Sequence, residues 1–304
     1  MLLVSWLIGA GIWFWLVKRY DRFEPEPLRC LLAVGLGGGL ASGLLASMGN
    51  SVAAAALGIE GGVGAVVQGS APAAALPWLA LFVGFNEEVL KAAAAVLLTR
   101  RLGDLDEPID APLYAMMTAL GFAVIENLDY ASTFGHAVLL PRYLLATSVH
   151  VALAVIWGTA WARGHFLEPR KPLWRVMGPA VTVAAVLHGL WDYALFAQFG
   201  PGIVLAVISL VGIVAWGHSA KKAIAMETPF LSPGTCPRCN AAGDPGARFC
   251  RACGGRMPSL YFVRCTACTT NVPRSARFCP QCGNATSIAA RGTPAAERSG
   301  QGQG

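Results

Sequence analysis

Charge is what this chain has least of. Of its 304 residues only 13% are Asp, Glu, Lys or Arg, against about 25% in an ordinary soluble domain. Hydrophobic residues make up 55%, and mean hydropathy is +0.53. A soluble globular protein needs more polar surface than this, and a disordered chain needs more still. Cysteine is scarce outside one stretch, since eight of nine fall within 236–282; that excludes a disulfide scaffold spread through the fold. No basic residue precedes the first apolar run, and no small-residue cleavage site follows it. Lys18, Arg19 and Arg22 come after it instead, so it reads as an uncleaved anchor rather than a secretion signal. What remains is a polytopic membrane protein with a small polar appendage.

The net charge of +6 is unevenly placed. Residues 221–304 hold 11 Lys/Arg and 3 Asp/Glu, whereas residues 1–220 hold 12 Lys/Arg and 14 Asp/Glu. The chain is therefore an apolar, slightly acidic body (1–220), a linker (221–234), a basic cysteine-rich body (235–284) and a Gly/Ala/Ser-rich end (285–304) that reads as disordered.

Seven apolar segments are legible near 2–17, 30–57, 76–99, 112–131, 143–162, 176–197 and 201–218. Most reach the length of about 20 residues that a helix needs to cross a bilayer core. The second is long, and Gly37-Gly38-Gly39 is expected to bend it. Lys and Arg follow the odd-numbered segments (Lys18, Arg19, Arg22, Arg29; Arg100, Arg101; Arg163, Arg170, Lys171, Arg175; Lys221, Lys222), while the even-numbered connections carry only Arg142. This alternation predicts an outside N-terminus and a cytoplasmic C-terminus.

Charged side chains at membrane depth are costly and usually functional. The third segment carries Asn86, Glu87, Glu88 and Lys91; the fourth Glu126, Asn127 and, near its outer end, Asp129. The fifth carries His150, and the sixth His188 and Asp192. Counted from the outer ends, Glu87, Glu88, Glu126, His150, His188 and Asp192 fall in roughly the outer half of a ~30 Å core, at ~1.5 Å per residue. Lys91 lies within helical reach of both Glu87 and Glu88, and His188 within reach of Asp192. Asp192 is either a metal ligand beside His188 or a group that orients its ring. Two histidines with carboxylates suit Zn²⁺ or a similar divalent ion, with a further glutamate as general base on water. A structural ion-pair network, or the proton or ion path of a transporter, uses the same residue types. The motifs HExxH, GxSxG and GxGD are absent, so the common protease signatures do not decide it.

Taken together these residues resemble the PrsW family of intramembrane proteases, related to the CAAX-processing membrane proteases. The resemblance rests on Glu87-Glu88-Val89-Leu90-Lys91, on Gly121-Phe122-Ala123-Val124-Ile125-Glu126-Asn127 with Tyr130, on His150, and on His188-Gly189-Leu190-Trp191-Asp192. Asp21-Arg22-Phe23-Glu24-Pro25-Glu26-Pro27 after the first helix also matches, and the likeness covers roughly residues 10–218. It implies cleavage of membrane-anchored substrates, anti-sigma factors among them, on the extracytoplasmic side. It implies a catalytic or metal-binding set of Glu87, Glu88, Glu126, His150 and His188. On this reading Glu87 or Glu88 activates water, with Lys91 beside them. His150, His188 and one of Glu126 or Asp192 hold a divalent metal, Zn²⁺ by donor type; a glutamate-only mechanism is the alternative.

In the tail, Cys236, Cys239, Cys250 and Cys253 form two CxxC pairs ten residues apart, and Cys265, Cys268, Cys279 and Cys282 repeat them 29 positions later. Ala247-Arg248-Phe249-Cys250 recurs as Ala276-Arg277-Phe278-Cys279, the mark of a duplicated unit. Each unit completes a Cys₄ site for one structural Zn²⁺, two ions in all, and resembles a zinc ribbon. A reducing cytoplasm disfavours the disulfide alternative. Cys30 reads as a plain small residue at a membrane boundary. The basic balance and Phe249, Tyr261, Phe262 and Phe278 admit nucleic acid or anionic lipid, but a cytoplasmic protein partner is the preferred reading. The expected fold is thus an all-α polytopic membrane bundle of about seven transmembrane helices followed by two small β-rich zinc ribbons. The alternative from another class is a non-catalytic membrane receptor or transporter.

Overall fold

In the computed structural model the described residues are 2–19, 26–102, 105–198 and 200–225. In the C-terminal region they are 236, 238–239, 241, 249–255, 262–265, 267–268, 271–273, 278–279 and 281–285. Residues 226–234 of the linker, residues 286–304, Asp21 to Pro25 and Tyr261 lie outside them. The chain divides into two compact units, Met1–Ile224 and Ala225–Gly304.

Among its described residues the regular elements of the first unit are all helices: α1 (Leu2–Lys18), α2 (Leu28–Ala56), the short α3 (Gly62–Val67), α4 (Leu76–Leu102), α5 (Asp110–Phe134), α6 (His136–Leu167), α7 (Leu173–Phe196) and α8 (Gly200–Ala225). With no water in a bilayer core, a helix is the way a segment satisfies its own backbone groups. Among the described residues five of these (α2, α5, α6, α7 and α8) are long and apolar enough to cross a membrane. The expected seven differ from this by two. α1 is apolar but has only 17 residues. α4 has 27 residues, but its middle carries Glu87, Glu88 and Lys91.

α5 is the central helix. Leu113, Tyr114, Ala115 and Ala119 on it are fully buried, and Trp157 and Trp161 of α6 pack into the same core. α8, at the other extreme, presents Val204, Leu205, Ile208 and Val211 outward, each 58–65% exposed, as a lipid-facing helix does. α1 is pinned by its indoles: Trp6 Nε1 donates to the Val124 carbonyl at 2.7 Å and Trp13 Nε1 to the Tyr143 carbonyl at 2.9 Å. The glycine-rich part of α2 holds a π-helical turn, Ala33–Gly38, at the place where a bend is expected. It rests against α5, where a Cβ on Gly39 would collide with the Gly121 backbone.

The closest approach that matters for the site is between α4 and α7. A Cβ on Gly84 would strike the Ala185 carbonyl oxygen, and one on Gly189 would sit 2.9 Å from the Ala80 carbonyl oxygen. Small residues at such crossings let two backbones meet, which is how membrane helices gain packing energy without a hydrophobic driving force. Gly84 lies one turn before Glu87 and Glu88, and Gly189 follows His188, so this contact sets the distance between those side chains.

Arg142, counted with the connections by sequence, lies within α6, which begins at His136 rather than near 143. The turn after α6 is held by Glu168, which accepts from Lys171 at 2.6 Å and Arg163 at 3.2 Å. Those two cations keep its half-buried carboxyl below the usual range.

In the second unit, β1 (Phe262–Arg264) pairs antiparallel with β2 (Asn271–Pro273), in register Phe262↔Pro273, Val263↔Val272 and Arg264↔Asn271. Phe278 bridges Ala285. The duplication is visible in the backbone: Gly254 and Gly283, 29 positions apart in the sequence, both take positive φ (66° and 73°). Each donates its N–H to the carbonyl of the first cysteine of the CxxC pair before it, Cys250 or Cys279, at 2.8 Å.

Candidate active site in the helix bundle

One turn of α4 carries Glu87, Glu88 and Lys91 into the bundle, where all three are buried. Glu88 has both oxygens engaged. Oε1 accepts from Lys91 Nζ at 2.6 Å and from His188 Nδ1 at 3.0 Å, and Oε2 accepts from Trp157 Nε1 at 3.0 Å. A buried carboxylate needs such partners, since an unpaired one costs several kcal/mol. Glu87 differs. Its Oε1 accepts from Asn50 Nδ2 at 3.1 Å, whereas its Oε2 is buried with no hydrogen bond. That oxygen lies 3.6 Å from both Lys91 Nζ and His188 Nε2.

These contacts fix the histidine tautomers. A carboxylate only accepts, so His188 donates from Nδ1 to Glu88, and in its neutral form the ring keeps the Nε2 lone pair. Nε2 then faces Glu87 Oε2 at 3.6 Å and Asp192 Oδ2 at 3.7 Å. A carboxylate holding one ring nitrogen while the other is left free is the arrangement found behind metal-ligating histidines. His150 is bridged instead. Lys91 Nζ, which has no lone pair, donates to its Nδ1 at 2.9 Å, so its Nε2–H donates to Glu126 Oε2 at 2.9 Å. Both of its nitrogens are engaged. The two imidazoles meet edge to face at 5.0 Å, and Phe122 lies under Lys91 at 4.4 Å.

Glu87, His150 and His188 each offer a ligand atom, and all these atoms lie within 4.8 Å of one another. Glu87 Oε2 and His188 Nε2, neither of which makes a hydrogen bond among the described residues, are the donor types that Zn²⁺ takes, so the residues fit a divalent ion there. His150 joins such a set only by giving up Lys91 or Glu126. Beside them opens a cavity of about 250 Å³, its polar wall made by Glu126, Tyr130, Arg142, His150, His188 and Asp192. An apolar groove of about 280 Å³ between α6, α7 and α8 shares Val149 and Trp191 with it.

All seven residues expected from the sequence thus converge, while Asp129 stays exposed outside the cluster. Sequence reading missed Asn50, Trp157 and Arg142 as site residues. Asn50 is a lone amide in a long apolar run, a signal that was available. Trp157 carries none, since a tryptophan in an apolar helix reads as packing.

In the tail the thiols form two clusters of four. Sγ atoms of Cys236 and Cys253, Cys239 and Cys250, Cys265 and Cys282, and Cys268 and Cys279 lie 3.6, 3.7, 3.5 and 3.5 Å apart. A disulfide needs about 2.05 Å; a tetrahedron with Zn–S near 2.3 Å has edges of about 3.8 Å. The four-cysteine units therefore fit zinc. The backbone N–H groups of Ala267 and Cys268 point at Cys265 and lower its thiol pKa. Burial opposes the same effect at Cys236, where the N–H groups of Cys239 and Arg238 still prevail and bring the thiol down to about 6.

A family model described as PrsW family intramembrane metalloprotease matches residues 26–216, and one described as Double zinc ribbon matches 236–283. Among curated proteins, "Protease PrsW" of Shouchella clausii (strain KSM-K16) is 29% identical over 136 residues, 45% of this chain and 61% of that protein. "Protease PrsW" of Bacillus subtilis (strain 168) is 30% identical over 115 residues, 38% of this chain and 52% of that protein. "Protease PrsW" of Clostridioides difficile (strain 630) is 26% identical over 137 residues, 44% and 57% respectively. The chain spans between half and two thirds of the length of these relatives. No solved structure matches it.

Proposed function

The chain belongs to the PrsW family of intramembrane metalloproteases, and from that premise we propose that it is a peptidase hydrolysing a membrane-anchored protein within the bilayer. The observation that carries this is Glu87 Oε2, buried without a hydrogen bond beside His188 Nε2 and next to a polar cavity. Glu87, His188 and His150 would hold a divalent ion, Zn²⁺ by donor type. When bound, the ion supplies Lewis-acid polarisation of the scissile carbonyl and makes water more acidic. Glu88 orients His188 and, with Lys91 and Trp157, keeps its own charge compensated. That leaves Glu88 unsuited as the base. Glu126 is likewise tied to Arg142 and His150. Asp192 has His188 as its one ion partner among the described residues and lines the cavity, so it is assigned as the group that takes the proton of water.

A membrane-anchored substrate is supported by the apolar groove that meets this cavity at Val149 and Trp191. An anti-sigma factor is the substrate class that the family resemblance suggests. The full topology is proposed as seven spans, with α1 and α4 crossing alongside the five apolar helices. α4 enters because its charges are compensated inside the bundle. The N-terminus is then outside and the C-terminus cytoplasmic. The domain limits are 1–220 for the peptidase, 221–234 for a linker, 235–284 for the double zinc ribbon and 285–304 for a disordered end. The ribbons, with two structural Zn²⁺, dock a cytoplasmic protein rather than nucleic acid.

The test is cleavage of single-span substrates in liposomes by the full chain and by Glu87→Gln and His188→Ala variants. Loss of cleavage in both supports the reading. An intact substrate with wild type, or wild-type rates in both variants, refutes it.

A further inference from the structure

Arg142 is a cation set into the wall of the polar cavity. Its Nε donates to Asn127 Oδ1 at 2.7 Å. Its Nη2 lies 2.7 Å from Glu126 Oε2 as an ion pair, without the alignment of a hydrogen bond. Its guanidinium stacks on Tyr130 at 3.7 Å from the ring centre. Asn127 is itself held, donating to Thr147 Oγ1 at 3.0 Å. A guanidinium carries five N–H donors, and only Nε–H is spent on an aligned hydrogen bond. The side chain is thus fixed from three sides; Nη2 is buried in the ion pair with Glu126, and among the described residues no aligned hydrogen bond takes up a terminal N–H.

Arg142 and the Glu126 that it pairs both line the cavity, whereas Glu88 and Glu87, with their partners Trp157 and Asn50, do not. Pre-placed donors at a water-poor cavity are what stabilises negative charge as it develops on a carbonyl oxygen.

We infer that Arg142 is the oxyanion donor of this site, its terminal N–H groups binding the carbonyl oxygen of the scissile peptide bond. This rests on the peptidase reading. The water oxygen bonds to the carbonyl carbon, its proton passes to Asp192, and the C=O π pair moves onto the oxygen beside Arg142. On collapse that pair re-forms C=O. The C–N bond breaks with its pair on nitrogen, and nitrogen takes the proton from Asp192, leaving an acid and an amine from one water.

The test uses the full chain in liposomes with a donor–quencher single-span peptide that wild type cleaves, and a phosphonate analogue of it that mimics the tetrahedral state. Arg142→Gln is expected to lower kcat about 100-fold with KM within about threefold. It should weaken phosphonate binding by a similar factor while leaving affinity for the uncleaved peptide unchanged. Arg142→Lys keeps the charge and serves if the Gln variant fails to fold; its kcat should fall by at least about tenfold. Added guanidinium ion should restore part of the rate to Arg142→Ala. Unchanged kcat in both Gln and Lys variants, or equal weakening of peptide and phosphonate, overturns the proposal and leaves the peptidase reading standing. Failure of wild type to cleave any membrane-anchored peptide removes both.

Discussion

Glu88 on α4 and His188 on α7 lie a hundred residues apart and share a 3.0 Å hydrogen bond inside the bundle. That bond leaves His188 Nε2 turned towards Glu87 and Asp192. Two neighbouring glutamates therefore do different work. Glu88 has its oxygens filled by Lys91, His188 and Trp157, while Glu87 has one oxygen with no hydrogen bond.

Their amide substitutions should separate accordingly. Glu88→Gln leaves Lys91 buried without its closest counter-charge, and should cost about 3 kcal/mol or more of stability. Glu87→Gln should cost about 1 kcal/mol while abolishing cleavage. Thermal unfolding alongside a cleavage assay checks this; equal destabilisation by the two would remove the distinction.

Metal content offers a second check. The full chain should carry about three zinc equivalents, two in the cysteine clusters and one in the bundle. His188→Ala and Cys279→Ser should each lose about one. Elemental analysis of the purified proteins reads this directly. A count of two in both wild type and His188→Ala would mean that the bundle holds no metal.

The α4–α7 contact predicts sensitivity far from any charged group. Gly84→Leu must push α7 away and so lengthen the Glu88–His188 bond. It is expected to cost about 1–3 kcal/mol and at least about 100-fold in cleavage rate. Gly178→Leu on the same α7, where an added Cβ meets nothing within 4 Å, is the control and should behave as wild type. Full activity in Gly84→Leu would show that this crossing does not set the site.

The apolar groove should matter only for substrates that arrive through the bilayer. Filling it with Ser209→Trp is expected to raise KM for a single-span substrate by about tenfold, the scale of a lost apolar contact near 1.4 kcal/mol. Hydrolysis of a short soluble peptide should be unaffected. Equal effects on both would place substrate entry elsewhere.

Much of this was legible before the structure, and the reasons are local. Glu88 with Lys91 and His188 with Asp192 share a helix face because the period is 3.6 residues. Counting residues from segment ends put the charged groups on a common level, and the contacts Glu88–His188 and Glu126–His150 meet there. The 29-residue cysteine repeat needed only the sequence, and the sulfur spacings then discriminated zinc from disulfides. Arg142 was misplaced because a positive-inside count assigns every arginine near a segment end to a connection. A buried carboxylate one helix away draws it inward instead.

The sequence by itself determined the membrane bundle, the cysteine units and the seven polar residues, because composition and helical period are properties of one strand of chain. Only the tertiary structure decided which glutamate is saturated and which is open, and that His150 is bridged through both nitrogens while His188 hydrogen-bonds through Nδ1. It also set Arg142 in the cavity wall. Those outcomes depend on how closely helices approach, which Gly84 and Gly189 control across α4 and α7. A backbone contact between segments about a hundred residues apart leaves no periodic trace in either one.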